Sequence, residues 1–346
     1  AVVDAGSSVG GSMTKRLFAG AVALAAVASL SLATAGGAQA AKIMKLGFAL
    51  AKNTPYDTYA EVFKKEVEKL TNKSVRVKNF CCFKMGGEPE MFKKLQLGTL
   101  DATIIAQNNA GPFYPKIDLL VLPYMLQNHE HGLKVVDGPV GQMFWKDMPK
   151  ETGVHLVAIT FVSFRHIYNS KKPINNIADF GPLKYRVPKN VVMVDTYKAF
   201  GSDPVPLAWS ETLTAVQTGT VDGGDLPIDV IYSQKFHEVA KNIAMTGHFA
   251  LTPPFFVSDK FMSKLSADEK KAVYAAAQVA NAAARKQVAE KEASIIETLK
   301  SKHGVKFTSP DTKPFIDAAA KVHGEFAKKR GGDYTKLIEA INAAAK

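Results

Sequence analysis

From Tyr56 onward the apolar residues Tyr56, Tyr59, Ala60, Phe63, Val67 and Leu70 recur at helical spacing, with Lys64, Lys65, Glu66 and Lys69 mostly off that face. This pattern predicts an amphipathic helix. Ahead of it, Ile43 to Leu50 is a mostly apolar run of strand length, closed by Asn53-Thr54-Pro55. Val75-Arg76-Val77 resumes a strand alternation, a second helix runs from about Pro89 to Leu97 and stops at Gly98, and Leu100 to Ala106 is again strand-like. Strand and helix alternate, which predicts an α/β fold with a largely parallel sheet.

One stretch recurs. Glu90-x-Phe92 followed by Leu95-Gln96-Leu97-Gly98-Thr99-Leu100-Asp101 returns, at a constant offset of 121, as Glu211-x-Leu213 followed by Val216-Gln217-Thr218-Gly219-Thr220-Val221-Asp222. Each copy reads as an amphipathic helix ending at a glycine able to take a left-handed C-cap, with a short apolar strand directly after it. The repeat predicts two lobes built on one α/β plan, with a cleft between them of the kind where ligands bind. Ser266-Ala267-Asp268-Glu269 is a capping box, and the alanine-rich stretch after it runs to His303-Gly304. A helix of that length is about 54 Å long, more than one ordinary domain is wide, so it is expected to span both lobes.

The leading residues follow a different pattern. Met13-Thr14-Lys15-Arg16, the apolar run Leu17 to Leu32 and then Ala38-Gln39-Ala40 have the three parts of a secretory signal, expected to be cleaved after Ala40, with residues 1–12 as an unexplained leader. Of the 346 residues, 47% are hydrophobic and 22% charged, which excludes a disordered tail and an integral membrane protein. The net charge of +12 directs attention to anionic partners. Nucleic acid fits poorly: lysines are spread over solvent-facing helices, arginines are few, and export separates the chain from cytoplasmic nucleic acid. The two cysteines, Cys81 and Cys82, are adjacent and cannot staple distant segments, so the fold must rest on its core; strand-end or core thiols are expected. No Cys/His cluster has zinc spacing, and no cofactor is expected.

No Gly-x-Ser-x-Gly elbow, Walker loop, Gly-x-Gly-x-x-Gly or His-Glu-x-x-His occurs. What stands out is a pair of arginines among apolar and aromatic residues, in Phe161-Val162-Ser163-Phe164-Arg165-His166-Ile167-Tyr168-Asn169 and in Leu183-Lys184-Tyr185-Arg186-Val187-Pro188. A guanidinium there is costly unless it meets an anion, and arginine is suited to gripping a carboxylate by two parallel hydrogen bonds. For either arginine taken alone, an internal ion pair is the commoner explanation. Asn53 with Thr54, and Gln107 with Asn108, follow predicted strands, at the carboxyl ends where α/β clefts take ligands; ordinary loop polarity accounts for them as well.

Arg186-Val187-Pro188, the span Phe200-Gly201-Ser202-Asp203-Pro204-Val205-Pro206, and Glu211 through Val216 to Gly223 with Pro227 resemble the signature of the DctP family, the solute-binding proteins of TRAP transporters. The resemblance extends from Leu95 to Asp101 and Leu122-Pro123-Tyr124 through Arg165 to His248 and Phe256-Val257-Ser258-Asp259. It implies a periplasmic-binding-protein-like fold of two lobes, which we place at 41–164 with about 252–290, and at 165–251 with about 291–346. It also implies a periplasmic receptor that binds an organic acid between the lobes and delivers it to a membrane permease. On this resemblance Arg186 grips the ligand carboxylate, Arg165 adds a contact, Trp209 stands against the ligand, and Asp225 and His248 belong to the pocket. Leu226 departs from those members that have Asn just before the Pro, which removes a polar contact and disfavours polyhydroxylated sugar acids such as sialic acid; a less polar, aromatic or branched acid is expected. A secreted enzyme acting on a carboxylate substrate, with His166 or Asp225 as acid or base, and a ligand-sensing partner of a membrane receptor are the competing readings.

Overall fold

A computed structural model describes residues 40–160 and 163–345. The leader at 1–12, the expected export signal up to Gln39, and Phe161 with Val162 lie outside the described residues. Among the described residues, eleven strands form two mixed sheets. They are β1 (Lys42–Phe48), β2 (Val75–Phe80), β3 (Ala102–Ile104), β4 (Val154–Ile159), β5 (Ser163–Asn169), β6 (Lys184–Val187), β7 (Asp203–Pro206), β8 (Gly223–Leu226), β9 (Asn242–Leu251), β10 (Pro254–Ser258) and β11 (Lys306–Thr308). The first sheet has the order β2-β1-β3-β10-β4 and the second β11-β9-β5-β8-β6-β7. The α/β reading holds, but the sheets are less parallel than expected. β10 runs antiparallel to both β3 and β4, and β5 antiparallel to both β8 and β9.

The antiparallel strands arise because the chain crosses between sheets twice. It leaves the first sheet after β4 to enter β5, and it returns from β9 through Thr252 and Pro253 to β10. The two crossings lie side by side, with Thr160 N–H donating to Pro253 O at 3.0 Å.

The helix predicted from Tyr56 is α1 (Pro55–Leu70), with Pro55 in its first turn and the Thr54 hydroxyl capping it; Tyr56, Tyr59, Ala60, Phe63 and Val67 are its buried face. Phe63 meets Phe255 of β10 edge to face at 4.6 Å between ring centroids. Burying each such side chain contributes about 1.5–3 kcal/mol. Both repeat copies fold as expected. The helix α2 (Glu88–Gln96) turns through Gly98 at φ 64°, and the equivalent helix over Trp209–Gln217 turns through Gly219 at φ 74°. A side chain is strained at these angles and glycine is not.

The long helix covers Ala267–His303, 37 residues, opened by the Ser266/Glu269 capping box and closed by Gly304 in the left-handed region. Ala272, Val273, Ala276, Ala277, Ala280 and Ala284 are buried along its first half, where small side chains allow α1 to approach closely. Its second half reaches Leu299, buried in a core shared with Phe236 and Ile231 of the second sheet's segment. Between these halves Asn281 Nδ2 and Arg285 Nη2 both donate to Ile159 O at 3.3 Å, at the point where the chain leaves the first sheet. The helix spans both lobes and is fastened to the crossing between them.

Candidate functional site

Strand order brings the two arginines together. β8 lies between β5, which carries Arg165, and β6, which carries Arg186. The strands can be this close because β8 opens with Gly223-Gly224. A Cβ on Gly223 would stand 2.0 Å from Tyr168 O, and one on Gly224 would stand 2.8 Å from the Tyr168 hydroxyl and 3.2 Å from Arg186 O.

The arginines then part company. Arg165 Nε donates to Asp225 Oδ2 at 2.5 Å and its Nη2 to Asp225 O at 2.6 Å, and the Asp225 side chain is fully buried. His248 Nε2 stands 3.6 Å from the same carboxylate oxygen, and its Nδ1 meets the Thr246 hydroxyl at 2.8 Å. Burial would push the Asp225 carboxyl up, but Arg165 foremost, with His248 and Arg186, outweighs it and holds the group below its ordinary value. Burial likewise drives the His248 imidazole down to about 4, so it is neutral at physiological pH.

Arg186 has no carboxylate partner within ion-pair distance among the described residues. Its Nε and Nη2 both donate to Leu207 O, at 3.1 and 2.9 Å, and the guanidinium lies 5.8 Å from the Trp209 ring centroid. Two of five N–H groups are thereby committed on one edge, leaving the other edge for a ligand. The residue is 5% exposed. Burial, with repulsion from Arg165, pulls its pKa down to about 10, which leaves it charged at neutral pH.

Both arginines open onto a cavity lined also by Trp209, Leu226, Pro188, Tyr56, Asn108, Asn109 and Glu88. Glu88, at the first position of α2, faces the arginine wall from the first sheet's side. Its Oε2 accepts from Ala106 N–H at 2.9 Å and from Asn109 Nδ2 at 2.6 Å. Burial pushes this carboxyl up, against the pull of those donors and of the two arginines. The cavity thus has a cationic wall and, opposite it, a wall of hydrogen-bonding groups.

Of the residues singled out from sequence, Arg165, Arg186, Trp209, Leu226 and Asn108 line this cavity. Asp225 and His248 stand behind Arg165 rather than on the surface. Gln107 turns inward: its Nε2 donates to Leu120 O and Ala250 O, and its Oε1 accepts from Thr252 N–H, so it fastens the returning crossing. Asn53 lines a neighbouring cavity with Thr54, Asp229 and Gln287 instead. The thiols of Cys81 and Cys82 are free at the end of β2, one half-buried and one exposed. Sequence reasoning missed Glu88, Asn109 and Tyr56. Glu88 reads as an ordinary first-turn acid, and Tyr56 as part of the α1 core stripe. His166 is no catalytic base here: its Nδ1 accepts from Gly247 N–H, and burial holds it down to about 4.

Two mixed sheets joined at a double crossing, with an arginine-walled cavity between their segments, define a solute-binding receptor. Residues 46–330 match the family model DctP, bacterial extracellular solute-binding protein family 7, and the chain belongs to that family. It is 32% identical over 307 residues to a solute-binding protein of Verminephrobacter eiseniae, covering 89% of this chain and 90% of that one. A TRAP periplasmic solute-binding protein of Polaromonas sp. JS666, solved bound to D-erythronate, is 39% identical with a TM-score of 0.83, covering 87% of this chain and 98% of the other. A second, from Bordetella bronchiseptica with density assigned as pantoate, is 30% identical with a TM-score of 0.82 over the same 87% and 98%. The family is one of binding proteins acting outside the cytoplasm, not of enzymes.

Proposed function

We propose that this receptor captures a small hydroxylated carboxylic acid between its lobes and passes it to a TRAP-type permease, with Arg186 holding the ligand carboxylate. The observation that carries the reading is the unpaired Arg186 guanidinium beside an Arg165 already neutralised by Asp225. A buried cation without an anion is unfavourable, and a carboxylate placed on its free edge relieves it through two charge-assisted hydrogen bonds. Glu88, Asn108 and Asn109 on the opposite wall supply acceptors and donors for hydroxyl groups, while the Glu88 carboxyl repels the ligand's own carboxylate and so orients it. D-erythronate and pantoate share a 2,4-dihydroxybutanoate skeleton, and a cavity with these two walls suits that class. This revises the expectation drawn from Leu226. That side chain makes one patch of the wall apolar, but the polar groups lie on the other lobe.

Hinging at the two crossings, with 41–164 and about 252–290 in one lobe and 165–251 and about 291–346 in the other, lets the walls close on the ligand and exclude water. Export through a signal cleaved after Ala40 places this trap in the periplasm. The test is a thermal-shift screen of hydroxy acids, sugar acids, dicarboxylates and aromatic acids, because a ligand that binds only the native state raises its apparent stability. A concentration-dependent rise with small 2-hydroxy acids is expected. A response only to uncharged sugars overturns the reading.

A further inference from the structure

Behind the cavity, one side chain joins the segments carrying the two sheets. Asn190 follows Arg186 by four residues and caps the helix Val191–Ala199, its Oδ1 accepting from Val192 and Met193 N–H at 3.0 and 3.2 Å. Its Nδ2 faces the other way, toward the segment between β3 and β4, and donates to Asn108 O at 3.0 Å and to Asp118 Oδ1 at 2.9 Å. Asp118 Oδ2 in turn takes Arg330 Nη2 at 3.1 Å. Asn190, Asp118 and Asn108 are 4%, 2% and 3% exposed. Gly111 leaves room for this junction, since a Cβ there would lie 2.2 Å from Asp118 Oδ1 and 3.0 Å from Asn190 Nδ2.

We infer that Asn190 is the positioning residue of ligand capture: its amide donors lock the Asn108–Asn109 wall of the cavity against the Arg186 wall when the lobes close. The inference rests on the two-lobed receptor reading. The amide spends its oxygen on its own helix and its nitrogen on the opposite segment, so every hydrogen-bonding position it has is used only when the walls are together. Opening exposes both donors to water, which replaces the two bonds. The junction therefore favours the closed form without touching the ligand, and it acts on how long the ligand stays.

Asn190→Ser separates the two roles, because serine keeps the capping oxygen but is too short to reach Asn108 or Asp118. Gly111→Ala is the second variant; its methyl displaces the Asp118 carboxylate from Asn190 and lies outside the cavity. Stopped-flow and calorimetry with D-erythronate as the probe are expected to show dissociation at least tenfold faster in both variants, an association rate within twofold of wild type, and helix content by circular dichroism unchanged in Asn190→Ser. Equal dissociation rates in Asn190→Ser and wild type overturn the proposal. Should the wild type bind no D-erythronate, the ligand class fails and the junction is judged by small-angle scattering of the unliganded proteins. A larger radius of gyration in Asn190→Ser then supports it, and identical curves overturn it.

Discussion

Arg165 and Asp225 form a closed pair, Nε to Oδ2 at 2.5 Å and Nη2 to the backbone carbonyl at 2.6 Å, and this pairing is what leaves Arg186 as the cavity's uncompensated cation. Two arginines on the strands flanking β8, with one aspartate of β8 between them, divide the work. One is fixed and neutralised, the other is held by a carbonyl and an aromatic ring and left open on one edge. The same division removes Asp225 from consideration as a catalytic acid, since its carboxylate is enclosed by Arg165 and His248.

Asp225→Asn keeps the shape of the side chain and removes the charge, so Arg165 is left buried without a counterion. Breaking one partner of such a pair costs about 3–5 kcal/mol. Urea denaturation of the variant is expected to show a loss of that order with an unchanged slope. A loss below about 1 kcal/mol would mean that the pair is not what holds Arg165.

The two buried histidines on the paired strands β5 and β9 give a pH prediction. Burial depresses His166 and His248 to about 4, while in the unfolded chain they titrate near the ordinary histidine value of 6.5. Between those values the unfolded state takes up protons that the folded state refuses, so their contribution to stability is complete above about 6.5 and is lost as pH falls toward 4. Asp118, raised to about 6, and Asp229, raised to about 7, chiefly by burial, act in the opposite sense over the same window. The individual rings are therefore the direct readout. Proton NMR of the two imidazoles is expected to show no titration between pH 7.5 and 5, and a midpoint near 6.5 in either contradicts this account.

Glu88→Gln tests the wall facing the arginines. The amide still fills the space but loses charge and half of its accepting capacity toward ligand hydroxyls. Affinity for 2,4-dihydroxy acids is expected to fall about tenfold, close to 1.4 kcal/mol, with little change for an unsubstituted acid of the same length. Calorimetry on the matched pair of acids decides this, and an equal loss for both would place Glu88 outside hydroxyl recognition.

Much of the fold was legible because it is local. The stripe from Tyr56 to Leu70, the Ser266 capping box with its Gly304 stop, and the repeated turn at Gly98 and Gly219 are set by residues within one or two helical turns of each other. The antiparallel strands were not legible. β5 pairs with both β8 and β9 only because the chain crosses between sheets, a long-range fact that no periodicity carries. The site divided the same way. Arg165 and Arg186 stood out as charges in apolar surroundings, but which of them is neutralised depends on the β5–β8 register, which sets Asp225 opposite Ile167, two positions from Arg165. Glu88 and Asn109 reach the cavity through tertiary packing alone, and Asn53, at the end of the first strand, is carried into the neighbouring space.

The central claim is that Arg186 grips a ligand carboxylate through a bidentate fork. Its most direct test is isothermal titration of wild type and Arg186→Lys with the hydroxy acid giving the largest thermal shift, and with that acid's uncharged primary amide. Lysine keeps the charge and loses the fork. The variant is expected to bind the acid at least a hundredfold more weakly, about 2.7 kcal/mol, and the wild type to discriminate against the amide by a similar factor. Undiminished affinity of Arg186→Lys for the acid, or equal binding of acid and amide by the wild type, would contradict it.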